Sequence, residues 1–132
     1  MTRHILTPLL AVALAVQAGV AGATTANELL AGYSRQAGSA ATAERGRAFF
    51  NTTHGREWSC ATCHGATPTG GGKHASTGKP IGALAPAANA ERFTDPAKVE
   101  KWFRRNCNDV LGRECAPGEK ADVLAWLMSL KP

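Results

Sequence analysis

Methionine is nearly missing from this chain: of 132 residues only Met1 and Met128 are methionine. No second long apolar run follows the first, which speaks against a protein with several membrane spans. No internal repeat is present, which excludes solenoids and propellers. No stretch alternates apolar and polar residues long enough to read as a strand, so a sheet-built fold is not expected. Charge of either sign is moderate, with 15 Lys and Arg against 10 Asp and Glu and a formal net charge of +5. That bias suits docking to an acidic protein surface better than binding nucleic acid.

The N-terminus has the layout of a secretory signal peptide. Arg3 and His4 form a short basic start, Ile5 to Val20 is apolar, and Ala21-Gly22-Ala23 supplies the small residues that a signal peptidase reads. The competing reading is an uncleaved membrane anchor, although the apolar stretch is short for a span and lacks a stop-transfer flank. Residues 1–23 are therefore expected to be removed on export to the periplasm, and residues 24–132 to form one soluble domain with no stable membrane insertion. A domain this short buries little surface, so a large central cofactor would add much of its apolar core.

The expected elements are helical. Ala26 to Gln36 carries Leu29, Leu30 and Tyr33 on one side, with Gly38 just beyond. Thr42 caps a second helix from Ala43 to about Asn51, carrying Phe49 and Phe50. A third starts at Thr94 or Asp95 with Pro96 in its first turn and runs from Ala97 to Arg105. Gly118 to Leu130 forms the last, with Val123, Leu124, Trp126 and Leu127 as its stripe. Between Gly65 and Ala90 lies a Gly-, Pro-, Ala- and Thr-rich stretch, read as an ordered loop wrapped around a cofactor.

That cofactor is indicated by Cys60-Ala61-Thr62-Cys63-His64. Two thiols at this spacing add to the two vinyl groups of one haem, and the adjacent imidazole then falls over the iron. The expectation is one covalent haem c, held by Cys60 and Cys63, with His64 as the proximal iron ligand. A thioredoxin-like pair would need strands that the sequence does not offer. A zinc site would need Cys107 and Cys115, whose spacing does not match a second short knuckle. Gly46 and Phe50, four apart on the second helix, and the bulk of Leu124 to Leu127 on the last suit a close helix crossing beside the motif. That arrangement resembles the class I cytochrome c fold, an all-α architecture.

In an oxidising compartment the two remaining thiols, Cys107 and Cys115, are most simply a disulfide, stabilising the fold by about 2–3 kcal/mol. The other face of the iron is less determined. Met128 lies inside the last helix, beyond the loop where a methionine ligand would be expected, and reads as a helix-face residue. His54, His74, the lysines and Asn106 remain. Val99, Phe103 and Asn106 follow i, i+4 and i+7, which puts a polar amide on a buried face where iron could be its partner. The alternative for Asn106 is a cap at the helix end. His74 is a rival second imidazole, or a surface histidine on a Gly-rich loop.

Beyond spacing, Thr77-Gly78-Lys79-Pro80-Ile81, Glu91-Arg92-Phe93-Thr94-Asp95, Val99-Glu100-Lys101-Trp102, Arg105-Asn106-Cys107 and Gly118-Glu119-Lys120-Ala121-Asp122 resemble the sphaeroides haem protein family of oxygen-binding monohaem cytochromes c. The similarity covers nearly all of residues 24–132. It implies that Asn106 is a displaceable distal ligand of oxidised haem and that Cys107 pairs with Cys115. His74 inherits no role. A neutral amide prefers the harder ferric ion, so it would leave on reduction and open a place for oxygen, nitric oxide or carbon monoxide. The potential should lie below that of a His/Met cytochrome.

The resemblance also implies a dihaem cytochrome c and a membrane cytochrome b as electron donors. Two other functions compete: a plain electron shuttle that stays six-coordinate, and a small reductase of oxygen, nitric oxide or peroxide. The sequence shows no clear acid–base group for the latter beyond His54 or His74. Lys79, Arg92, Arg104 and Arg105 are candidates for propionate pairing, docking or plain solvated surface. Trp58 and Trp102 are expected to pack at the haem edge.

Overall fold

Local capping fixes where each helix of this computed structural model begins; it describes Met1 and residues 24–132, so the expected signal segment lies outside the described residues apart from Met1. Thr25 opens α1 (Ala26–Ala37), its Oγ1 accepting from the Glu28 N–H while the Glu28 carboxylate accepts from the Thr25 N–H at 2.7 Å. Thr42 opens α2 (Ala43–Asn51) by accepting from the Arg45 N–H. A single turn, α3 (Cys60–His64), follows. Asp95 caps α4 (Pro96–Leu111), with Pro96 in the first turn where its missing N–H costs nothing. Glu119 accepts from the Ala116 N–H at the start of α5 (Pro117–Ser129).

The expected helices are all present, with one substantial difference. The third does not stop at Arg105 but continues to Leu111 and ends on Gly112. Val110 is buried and extends the apolar face of Val99 by three turns, which is what carries the helix through Asn106, Asn108 and Asp109. The long central loop contains two strands of two residues each, β1 (Gly72–Lys73) and β2 (Pro80–Ile81), paired antiparallel. They close a small turn within the loop and leave the architecture helical.

α5 is the central element, packed against both α2 and α1. A Cβ at Gly46 would run into the backbone carbonyl of Asp122, so the α2–α5 crossing requires glycine there. The Asp122 carboxylate, buried at this crossing, accepts from Arg45 Nε and Nη2 and from the Thr42 N–H, each at 2.8 Å. Phe50, Val123, Trp126 and Leu127 form the core on one side of α5, and Tyr33, Ala121 and Leu124 form it on the other. α4 is tied in by a polar bridge: Tyr33 Oη donates to Glu100 at 2.6 Å, and Lys120 Nζ donates to the other Glu100 oxygen at 2.8 Å. Cys107 on α4 is bonded to Cys115 in the connection to α5, with Cα atoms 5.5 Å apart.

Candidate functional site

The three residues of the attachment motif sit on one helical turn. The Ser59 N–H donates to Thr62 Oγ1 at 3.0 Å and starts α3, so Cys60, Cys63 and His64 leave the same short helix. All three line one cavity of about 1010 Å³. That is at the upper end of the range of about 300–1,000 Å³ for small-molecule pockets. Its floor is formed by Phe50, Val123 and Leu127 of the core. Gly72 of β1 closes against the motif, since a Cβ there would strike the Cys63 carbonyl. The Ala75 N–H donates to Cys63 Sγ at 3.3 Å.

The electrostatics separate the competing uses of a Cys-x-x-Cys pair. Cys60 and Cys63 are not bonded to each other. Burial pushes the Cys60 thiol up to about 11, the reverse of the lowered value that makes an oxidoreductase cysteine nucleophilic. Among the described residues no group of three or more His, Cys, Asp or Glu is arranged to hold a metal ion, and Cys107 and Cys115 are occupied with each other. Burial, with Arg92 and His74 adding like charge, lowers His64 to about 4. Its imidazole is therefore neutral at physiological pH, the form that ligates iron.

Asn106 lines the same cavity, half-buried, beside Val99 and Phe103. Its position five residues inside α4 removes the helix-end alternative, because the left-handed cap is Gly112. The side-chain amides of Asn51 and Asn108 donate to backbone carbonyls, and Asn89 accepts from a backbone N–H. Asn106 has no such partner among the described residues.

The other candidates sort themselves by position. His74 lines the cavity, but on the segment packed against Cys63, next to His64; its Nδ1 is bonded to Ser76 Oγ and the Thr77 N–H. His54 does not line the cavity; it is bonded to the Phe49 carbonyl at 2.9 Å, and its ring packs at a tilt against the Phe49 ring, with centroids 4.4 Å apart. Met128 packs against the Tyr33 side of α5. Of the basic candidates, Lys79, Arg92 and Arg105 line the cavity, while Arg104 faces Glu114 at 3.3 Å. Trp58 and Trp102 both line it, Trp102 at its open rim with 43 % exposure.

Arg92 is the residue that sequence reasoning left undistinguished. Its Nε donates to the Ala83 carbonyl at 2.8 Å and its Nη2 to the Gly82 carbonyl at 2.9 Å, so the guanidinium is held half-buried with no carboxylate partner among the described residues. Phe93 beside it takes a left-handed backbone (φ 62°), and its ring packs against both halves of the core and the cavity wall. Two thiols, a neutral imidazole, an apolar floor and an unpaired cation form a donor set that fits a covalently attached haem and one of its carboxylates.

Known proteins resemble this chain in both sequence and fold. Residues 36–127 match a family model described as a domain of unknown function, DUF1924. The chain is 56% identical over 119 residues to the cytochrome c-type protein SHP of Cereibacter sphaeroides, covering 86% of this chain and 92% of that protein. The structure of oxidised SHP, an oxygen-binding cytochrome c, superposes with a TM-score of 0.77 at 54% identity, covering 83% of this chain and all of that one. The solution structure of cytochrome c'' of Methylophilus methylotrophus, studied for haem-ligand detachment, superposes with a TM-score of 0.72 at 39% identity, covering 81% and 94% of the two chains.

Proposed function

The chain belongs to the family of the cytochrome c-type protein SHP, and from that premise we propose that it is an exported, oxygen-binding monohaem cytochrome c whose distal ligand is displaceable. One covalent haem c is the cofactor of this family, and Cys60, Cys63 and His64 are the residues that would hold it. Bound there, the haem supplies a one-electron iron couple and, when ferrous, a coordination position for a diatomic gas.

The chain's own residues do the rest. His64 is kept neutral by its buried surroundings and so offers a lone pair to iron. Arg92 offers its free N–H groups to a haem carboxylate. Asn106 is the second residue that would hold the iron of the oxidised haem, through its amide oxygen, and a neutral amide would hold ferrous iron only weakly. The Cys107–Cys115 bridge, adjoining Asn106, would hold the α4 backbone in place while that side chain moved. Val99 and Phe103 keep the position next to Asn106 apolar, which suits an uncharged diatomic ligand.

A single observation carries this reading: the amide of Asn106 lies in the same cavity as Cys60, Cys63 and His64 and has no partner among the described residues. Replacing it by a shape-matched apolar residue is the direct test. N106V should convert the low-spin ferric spectrum to high-spin; an unchanged ferric spectrum would remove Asn106 as the ligand. Export to the periplasm, and reduction by a dihaem cytochrome c and a membrane cytochrome b, complete the proposal; the signal-like first residues and the family resemblance support them.

A further inference from the structure

The backbone of α4 stands off from the other helices. α1 and α2 run close against α5, whereas α4 meets α2 and α5 largely through the cavity that all three line. Its inward residues fall in two neighbouring stripes. Val99, Phe103 and Asn106 line the cavity, and Glu100, Phe103 and Cys107, at i, i+3 and i+7, form the stripe beside them.

Every residue of the second stripe is tied to another element. Cys107 is bonded to Cys115. The Phe103 ring meets Tyr33 edge-on with centroids 5.9 Å apart, and Lys120 Nζ stands 5.8 Å from its centroid. One oxygen of Glu100 accepts from Tyr33 Oη of α1 at 2.6 Å, and the other accepts from Lys120 Nζ of α5 at 2.8 Å. Among the described residues these are the only hydrogen bonds or ion pairs that join α4 to another helix. None of Tyr33, Glu100 and Lys120 lines the cavity.

The electrostatics favour an arranging role over a stabilising one. Burial works against the Glu100 charge, but the bonds from Lys120 and Tyr33, with Arg104 nearby, outweigh it and hold the carboxyl below its ordinary value. Burial and the same carboxylate raise Tyr33, which therefore keeps its proton and stays a donor. The Lys120 side chain is only 12 % exposed, so its ammonium gives up most of its hydration to reach Glu100. Such a pair adds little net stability and selects one arrangement of the helices that carry it. Glu100 and Cys107 lie about 10 Å apart along α4 with Asn106 between them. A helix held at two points on one side cannot roll about its axis.

We propose that Glu100 is a positioning residue for the distal ligand: by joining α4 to α1 and α5 it sets the rotation of α4 that presents the Asn106 amide to the iron. Loss of the clamp lets the N-terminal half of α4 roll about the Cys107 anchor, and the amide then reaches ferric iron less well. This inference rests on the reading of Asn106 given above and adds the residue that aims it.

The test uses the ferric holoprotein of E100A, K120M, K120R and Y33F, read by absorption spectrum, midpoint potential and amide hydrogen exchange along α4. E100A and K120M should raise the high-spin fraction by about fivefold or more. Their midpoint potential should move upward, because the oxidised form loses its ligand. Y33F should fall between them and the unaltered protein. K120R keeps a donor within reach of Glu100 and should stay within about twofold of the unaltered high-spin fraction. Exchange from Val99 to Phe103 should quicken by about tenfold or more in E100A, while Cys107 to Leu111 stay protected beside the disulfide. E119Q loosens the start of α5 through a carboxylate that serves Arg113 and Ala116, outside the cavity lining, and should leave spectrum and potential as they were. Unchanged spectra and potentials in E100A and K120M, or equal changes in E119Q, overturn the proposal. Should E100A fail to take up haem, the contrast between K120M and K120R decides. An unaltered ferric spectrum in N106V would instead remove the ligand reading, and the exchange data, which make no reference to iron, would still show whether Glu100 holds α4.

Discussion

Gly46 of α2 rests directly on the backbone carbonyl of Asp122 in α5, with no room for a methyl group between them. This contact sets how closely the two helices cross, and with it the position of Phe50, whose ring touches both the core and the cavity: its centroid lies 4.9 Å from Trp126 and 6.1 Å from His64. The fold and the haem-binding cavity are coupled through this crossing.

The first prediction concerns that contact. G46A adds a Cβ that the Asp122 backbone must yield to, a form of overpacking that costs about 1–3 kcal/mol. Urea unfolding of the holoprotein should show a lowered midpoint. An unaltered midpoint would mean that α2 and α5 can separate freely.

The second concerns pH. Hydrogen bonding to Arg113 lowers the Glu119 carboxyl below its ordinary 4.5, against some opposition from burial. Its oxygens accept from Arg113 Nη1 and Nη2 and from the Ala116 N–H that begins α5. A carboxylate depressed in the folded state contributes stability above its unfolded pKa and loses it as pH falls through the folded value. E119Q should therefore cost about 1 kcal/mol at pH 7. Thermal melts of the variant and the unaltered protein should converge as pH is lowered from 5 towards 3, and a difference that persists at the acid end would contradict this role.

The third separates two rivals for the distal position. His74 sits on the strand-and-loop segment that packs against Cys63, beside His64, and its Nδ1 is already engaged. H74L should leave the ferric absorption spectrum as it was. A shift of that spectrum to high-spin on replacing His74 would make it the ligand and displace Asn106.

Much of this was legible in the residues themselves. Gly38, Thr42, Asp95 and Pro96 mark helix ends by capping chemistry that acts within one turn, so those ends were readable without the fold. The attachment motif was readable because its chemistry needs only a local spacing. The stretch from Asn106 to Leu111 was not, because its helical state depends on burying Cys107 and Val110 against the rest of the molecule. Val110 continuing the series from Val99, followed by Gly112 as a stop, was the signal available there. Two-residue strands are too short to show a period. The clamp on Arg92 joins it to carbonyls nine and ten residues earlier, and the left-handed Phe93 is set by packing. The exposure of Trp102 is likewise a tertiary outcome, since an aromatic on an amphipathic helix ordinarily reads as buried.

The central claim is that reduction opens the distal side of the haem, and one measurement tests it most directly. Absorption spectra of the purified holoprotein should be taken oxidised, then reduced without air, then after addition of carbon monoxide. The account predicts a low-spin ferric spectrum, a high-spin ferrous spectrum, and an immediate change on adding the gas. A sharp low-spin ferrous spectrum indifferent to carbon monoxide would contradict it, and would make this chain an electron carrier whose two axial ligands stay in place.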